Sequence, residues 1–454
     1  MIAMKFGGTS MGSKESIANV AKIIIAEKRK PIVVVSAMSG VTDELLKATI
    51  LAMKKGGLHK MKIIIKNLIE KHLKATKFLI KKNKKLLENT NNYIEKELND
   101  LQTFLEALAI IAEMSNISHD RIVSVGEKLS AKILAAHLED LGYKGAFVNL
   151  EKVEITDHKK PDKKFFSSLE KKIKKMVHNH LEKGEIPICT GFFGKIPGGI
   201  IQAVGRGYSD YCASILGAVF HVNRIEIWTD VDGIMSADPR IVKKAFVLEE
   251  VSFNEATEMS TFGAKVLHPK TVYPAVKKEI SVWIKNTFNP TFRGTVVSKD
   301  GKISKKICKA ITSKKGMMIV SLFSFDMAGE YGFIAKAGDI LRNFKISSDL
   351  GAYSGTSISF VIDKKEKGLK SAIAEFKKYW KVKIDDNQAV ISAVGKEMGI
   401  NIGSGSKILA SIAALGFNAN LVSRNASRQN ISFVVNEDKT EEVVKKLHQD
   451  ILEK

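Results

Sequence analysis

Short apolar runs of β type alternate with stretches of helical periodicity through the first 300 of the 454 residues. Ile2–Phe6, Ile32–Ser36, Ala146–Leu150, Ile186–Gly191, Arg224–Thr229 and Ser281–Lys285 read as strands. Between them Ser16–Lys30, Thr42–Lys55, Phe165–Lys183, Asp210–Phe220 and Asn254–Phe262 read as helices. The last is entered through Ser252-Phe253-Asn254-Glu255, the spacing of a capping box. Strands alternating with helices of this length predict a three-layer α/β domain around a largely parallel sheet.

Residues 57–115 break the rhythm. They are Lys-rich, and Ile94, Leu98, Leu101, Leu105 and Leu108 form one apolar stripe at helical spacing. A helical hairpin packed on the sheet is expected there, its lysines facing solvent. Beyond residue 300 the pattern changes to two similar stretches of strand, Gly turn, helix and strand. One runs through Met318–Leu322, Gly332–Asn343 and Ser357–Ile362, the other through Ala389–Val394, Gly405–Leu415 and Asn430–Val435. They close on related strings, Thr356-Ser357-Ile358-Ser359-Phe360-Val361 and Gln429-Asn430-Ile431-Ser432-Phe433-Val434, so a tandem duplication of a small module is predicted.

A hydrophobic fraction of 44% with 27% charged residues fits a globular chain of two or three domains. The net charge of +23 invites a nucleic-acid reading, but only nine of the 72 basic residues are Arg, and aromatics do not interleave with the lysines. Solvated Lys-rich helix faces explain the charge as well, and no specific nucleic-acid partner is expected. No apolar run approaches the ~18 residues of a membrane helix, and the start lacks a secretory pattern. Cys189, Cys212 and Cys308 form neither a CxxC pair nor a disulfide framework. A cytoplasmic protein without a membrane partner is the expectation.

Three loops carry the chemistry. Lys5-Phe6-Gly7-Gly8-Thr9-Ser10 lies where a strand ends and a helix begins, so backbone N–H groups can approach phosphate oxygens beside a lysine charge. Its Lys precedes the first Gly, unlike the Walker pattern. In Gly205-Arg206-Gly207-Tyr208-Ser209-Asp210, an Arg fork suits a carboxylate and an Asp at the helix start can orient a lysine. Trp228-Thr229-Asp230-Val231-Asp232-Gly233 ends a strand at the sheet's carboxyl edge, where open α/β sheets bind ligands. Taken singly, the first of these is only suggestive and the second reads more readily as an ordinary helix cap.

Together with Val35-Ser36-Ala37-Met38, Thr42, Gly126-Glu127, Asp238-Pro239-Arg240 and Phe262-Gly263-Ala264-Lys265-Val266-Leu267-His268-Pro269, they occur in the order and spacing of aspartate kinases. The chain resembles a monofunctional aspartokinase of the lysine-sensitive type over nearly its whole length. Its duplicated C-terminal modules resemble that family's tandem ferredoxin-like ACT domains. The resemblance implies transfer of the ATP γ-phosphoryl group, with Mg²⁺, to the β-carboxylate of L-aspartate, the first step of lysine, threonine and methionine biosynthesis. It gives Lys5 and Asp210 catalytic roles. Ser36, Thr42, Glu127, Arg206 and Ser209 fall to aspartate, with Arg206 on the α-carboxylate and Glu127 on the amino group. Lys5, Gly7, Gly8, Thr229, Asp230, Met235, Arg240 and Lys265 fall to the nucleotide. Met327, Gly332, Phe333, Ile334, Ser347, Asp349 and Ser354 match an effector site, for lysine ahead of threonine. A homodimer or higher oligomer through the ACT domains is implied.

Tyr208, Met235 and Tyr353 depart from residues common in the family. The implied domains are a kinase domain over 1–300, with 57–115 as a helical subdomain, and an ACT pair over 301–454. Within the pair, 316–385 would be inserted between 301–315 and 386–454. Another carboxylate kinase, a catalytically dead amino-acid sensor and a Lys-rich nucleic-acid binder are the competing readings; retention of Lys5, Glu127, Arg206 and Asp210 argues against the sensor.

Overall fold

All strands expected in the first 300 residues form, with ends that move by at most two residues. A computed structural model describes residues 1–454 apart from 154–162, 195, 197, 201–206, 265–266, 268, 305, 330, 400, 425 and 454. The chain divides into two units, Met1–Gly233 with His268–Lys299, and Ile234–Leu267 with Asp300–Lys454. No helix among the described residues is long and apolar enough to cross a membrane.

In chain order the strands of this region are β1 (Ile2–Phe6), β2 (Pro31–Val35), β3 (Gly145–Val148), β4 (Ile186–Thr190), β5 (Arg224–Thr229), β6 (Glu250–Ser252), β7 (Ser281–Asn286) and β8 (Thr295–Ser298). In the first unit they run β3-β4-β2-β1-β5-β7-β8. All neighbours are parallel except β7 and β8. Every residue of β1 and β2 is buried, as expected of parallel strands covered on both faces. One of them, Lys5, is charged, and the C-terminal ends of β1, β2, β4 and β5 share the edge beside it.

The helices of this unit are α1 (Lys14–Ala26), α2 (Val41–Ala52), α3 (Leu58–Leu79), α4 (Lys84–Ile111), α5 (Asn116–Asp140), α6 (Lys163–Glu182) and α7 (Tyr208–Val219). A further helix of the unit spans Pro269–Lys277. The leucine stripe of α4 is buried as one face, from Ile94 through Leu108. The turn between α3 and α4 is closed by Asp140, whose carboxylate accepts the N–H groups of Lys81, Lys82 and Asn83 at 2.9 Å each. Helix α1 ends at Ala26 instead of Lys30. Glu27 leaves helical geometry and takes the Arg29 side chain at 2.6–2.7 Å, and Pro31 bars a helical residue before it.

The second unit holds the strand order β10-β11-β9-β12-β14-β13, with β9 (Ala310–Phe323), β10 (Ser348–Ser354), β11 (Ser357–Asp363), β12 (Lys381–Val394), β13 (Leu421–Ser423) and β14 (Asn430–Asn436). Two long antiparallel strands, β9 and β12, run through both modules. Ile319–Phe323 and Lys381–Asp385 pair in the first, Ala310–Lys314 and Val390–Val394 in the second, and the register shifts around Gln388, which pairs with Met317 between them. Each module is then a four-stranded antiparallel sheet with two helices: Phe333–Asn343 and Leu369–Phe376, or Ser404–Ala413 and Thr440–Leu447.

The expected boundary at residue 300 differs from the observed division, because 234–267 packs with the second unit. Ala237 and Val242 enter a core with Ile311, Ile391, Phe433 and Leu447, and Phe262 packs with Met317, Ile319 and Val434. Buried Lys309 pairs with Glu255 at 2.9 Å. That glutamate also completes the capping box of the helix Phe253–Thr261. Ser236 Oγ meets the buried His448 Nε2 at 2.9 Å.

Candidate active site

Lys5 occupies β1 one residue before its end and is 8% exposed. Its ammonium lies 2.7 Å from Asp210 Oδ1, in the first turn of α7. That helix starts after Gly207 in the left-handed region, at φ 86°, where a residue with a Cβ would be strained. Beside the pair, the hydroxyls of Ser36, just past β2, and Ser209 meet at 3.0 Å. Ser130 on α5 donates to the Ser36 carbonyl at 2.6 Å, which fixes the loop after β2. The loop after β1 is tied to β5: Gly7 N–H and Ser10 Oγ both donate to the Trp228 carbonyl, at 3.1 Å each. A Cβ on Gly7 would stand 3.5 Å from Lys5 Nζ, so the backbone passes close to the ammonium.

Glu127 on α5 is 2% exposed. Burial drives its carboxyl up to about 8, outweighing the opposing pull of the Lys5 ammonium and of hydrogen bonding from the Phe192 N–H and the Tyr208 hydroxyl. Among the described residues its Oε2 has no hydrogen-bond partner. A buried acceptor left open is costly and is satisfied by a cationic or hydrogen-bond-donating ligand. Gly191, immediately after β4, makes the room: a Cβ there would meet Ser209 Cβ at 2.5 Å and both Glu127 oxygens at 3.1 Å. Phe192 and Tyr208 close this side edge to face, ring centroids 5.9 Å apart.

Lys5, Gly7, Ser36, Glu127, Ser209 and Asp210 are thus gathered on the carboxyl edge of the sheet. Gly8 follows in the same loop, and Thr42 is half-buried in the first turn of α2. Thr229 ends β5 and donates to the exposed Asp230 at 3.1 Å. The next turn is pinned by Asp232, which accepts from Asn286 and Asn289. Met235 and Arg240 belong to the second unit, where Arg240 is 88% exposed and forks onto its neighbour Asp238. Arg206 and Lys265 lie outside the described residues. Tyr208, noted in the sequence only as a departure, and Gly191 and Phe192 join the site unannounced. The signal for the last two was a glycine directly after an apolar strand.

Of the effector candidates, Met327 is buried, Gly332 precedes the helix Phe333–Asn343 at φ 90°, and Phe333 packs in the first module's core. Ile334, Ser347 and Ser354 are exposed. Asp349 is half-buried and paired with Lys314.

Residues 1–286 match the amino acid kinase family, and residues 391–451 match the ACT domain. The chain is 32% identical over 467 residues to aspartokinase 1, chloroplastic, of Arabidopsis thaliana, covering 99% of this chain and 80% of that one. It is 29% identical over 464 residues to the lysine-sensitive aspartokinase 3 of Escherichia coli, covering 100% and 99%. Among solved structures, E. coli aspartokinase III in complex with aspartate and ADP (R-state) matches with a TM-score of 0.82 at 28% identity, covering 100% of both chains. The same enzyme in complex with lysine and aspartate (T-state) gives 0.77.

Proposed function

The chain belongs to the aspartokinase family, and we propose that it phosphorylates the β-carboxylate of L-aspartate with ATP at the Lys5–Asp210–Glu127 site. The observation that carries the residue assignment is a buried carboxylate, open at Oε2 among the described residues, beside the ion pair of buried Lys5 with half-buried Asp210 at a parallel sheet's carboxyl edge.

The nucleophile is the substrate's own carboxylate, ionised at neutral pH, so no protein base is required. One of its oxygens bonds to the γ-phosphorus as the bond to the β,γ-bridging oxygen breaks, giving 4-phospho-L-aspartate and ADP. The work left to the protein is positioning and charge compensation. Lys5 supplies a positive charge for the transferring group, and Asp210 holds the ammonium in place. Glu127 takes the substrate ammonium, which satisfies Oε2 and keeps the carboxyl ionised. Arg206 is assigned to the α-carboxylate, Ser36, Ser209 and Thr42 to the polar lining. Gly7, Gly8, Thr229, Asp230, Met235, Arg240 and Lys265 are assigned to the nucleotide.

Mg²⁺ would enter as an ion carried by the nucleotide phosphates, with Asp210 as the carboxylate that would help hold it, and would neutralise phosphate charge. The ACT pair supports feedback regulation by an amino acid, lysine ahead of threonine, at Met327, Gly332–Ile334, Ser347, Asp349 and Ser354. The edge strand β10 leaves backbone groups that a second copy would cover, in keeping with a homodimer. A cytoplasmic enzyme opening amino-acid biosynthesis is the corresponding setting.

Trapping the acyl phosphate with hydroxylamine tests the reading. Hydroxamate should form from L-aspartate and not from L-glutamate, only with Mg·ATP. Folded protein that forms none from aspartate would refute it.

A further inference from the structure

Asp349, the one carboxylate among the effector candidates and so the residue suited to an effector's ammonium, already holds an ammonium. Asp349 sits where β10 begins, at a bulge that shifts the register against β11 between Ser348 and Leu350. Lys314, in the middle of β9, places its ammonium 2.5 Å from Asp349 Oδ2 and 3.6 Å from Asp363 Oδ2, at the end of β11. The three side chains are 17–30% exposed, so the group is partly withdrawn from water, where opposite charges attract more than on open surface.

The second module provides an internal comparison. Leu350 pairs with Val361 in the first module as Leu421 pairs with Val434 in the second. One residue before each leucine stand Asp349 and Asn420; two residues after each valine stand Asp363 and Asn436. In the second module the corner is closed by neutral amides. Asn420 donates to Gln388 Oε1 at 2.8 Å and to Asn436 Oδ1 at 3.2 Å. The fold therefore builds this corner without charge, and the lysine between two carboxylates is particular to the module that carries the effector candidates.

We propose that Lys314 is a resident counter-cation of the effector site: its ammonium occupies Asp349 in place of the ammonium of a small amino-acid effector, which must displace it to bind. This rests on the regulatory reading above and adds a threshold to it. Apparent affinity is reduced by the fraction of molecules in which the carboxylate is free, so a pair closed about nine-tenths of the time raises the effector concentration needed about tenfold.

Calorimetric titration of L-lysine into the full chain tests this. The variants are Lys314→Met, Lys315→Met and Asp349→Asn; Lys315, the next residue along the strand, pairs with Glu441 and serves as control. Lys314→Met should bind about tenfold more tightly than the natural chain. Lys315→Met should match the natural chain, and Asp349→Asn should lose binding. If Lys314→Met binds equally or more weakly while Asp349→Asn still abolishes binding, the counter-cation role falls and the effector reading stands. If the folded natural chain and Lys314→Met both fail to bind L-lysine, both fall.

Discussion

Glu127 links burial to chemistry at a single residue. Its carboxyl is raised from an ordinary 4.5 to about 8, first by desolvation. The folded chain therefore keeps a proton that the unfolded chain has lost between those values, and this residue's contribution to stability falls as pH rises through that window. Glu127→Gln should remove the dependence, so its melting temperature should gain on the natural chain from pH 5 to pH 8. The same proton must leave before an ammonium can pair, so KM for aspartate should fall as pH rises toward about 8. Loss of the paired charge in Glu127→Gln should raise KM about 100-fold. Lys5→Met acts on the other side of the reaction and should lower kcat by about 10²–10³. Lys5 and Asp210 stand out in the sequence, as a lysine in an apolar strand and an aspartate at a helix start, whereas Glu127, in the middle of α5, stands out only through the family resemblance. The perturbed carboxyl is not legible, because burial and the approach of Tyr208 and Phe192 are made by tertiary structure.

Elements show the same division. The period of leucines on α4 announces its buried face, but the partner across that face appears only in the fold. His72 on α3 is fully buried there, its Nδ1 bonded to the Leu68 carbonyl at 2.7 Å and its Nε2 without a partner among the described residues. Burial lowers its pKa from 6.5 to about 4, so it folds neutral. The unfolded chain takes up the proton first, and the helical hairpin should lose stability as pH falls from 6.5 toward 4. His72→Leu should flatten that acid limb in thermal melts; an unchanged limb would show that other groups set it. At the end of β4, Gly191→Ala should raise KM for aspartate by crowding Ser209 and Glu127, with little change in overall folding. The end of α1 escaped sequence reading because Glu27 turns back onto Arg29, a contact no periodicity encodes.

At the scale of the whole molecule, the chain passes between its two units three times, at 233–234, 267–268 and 299–300. A boundary at residue 300 follows the change in pattern along the sequence, but Ala237, Val242 and Phe262 bury themselves in the second unit's cores. A chain truncated after Lys299 would expose those residues and leave Glu255 without Lys309. It should aggregate or melt well below the full chain in calorimetry, despite retaining Lys5, Glu127 and Asp210. Lys5, the lysine proposed to act in the transfer, is buried within β1. The division of labour within the site is tested most directly by steady-state kcat and KM for L-aspartate in the natural chain, Lys5→Met and Glu127→Gln. Lys5→Met should lose turnover with KM nearly kept, and Glu127→Gln should lose affinity with a smaller change in kcat. Turnover and KM unaltered in both folded variants would contradict the assignment.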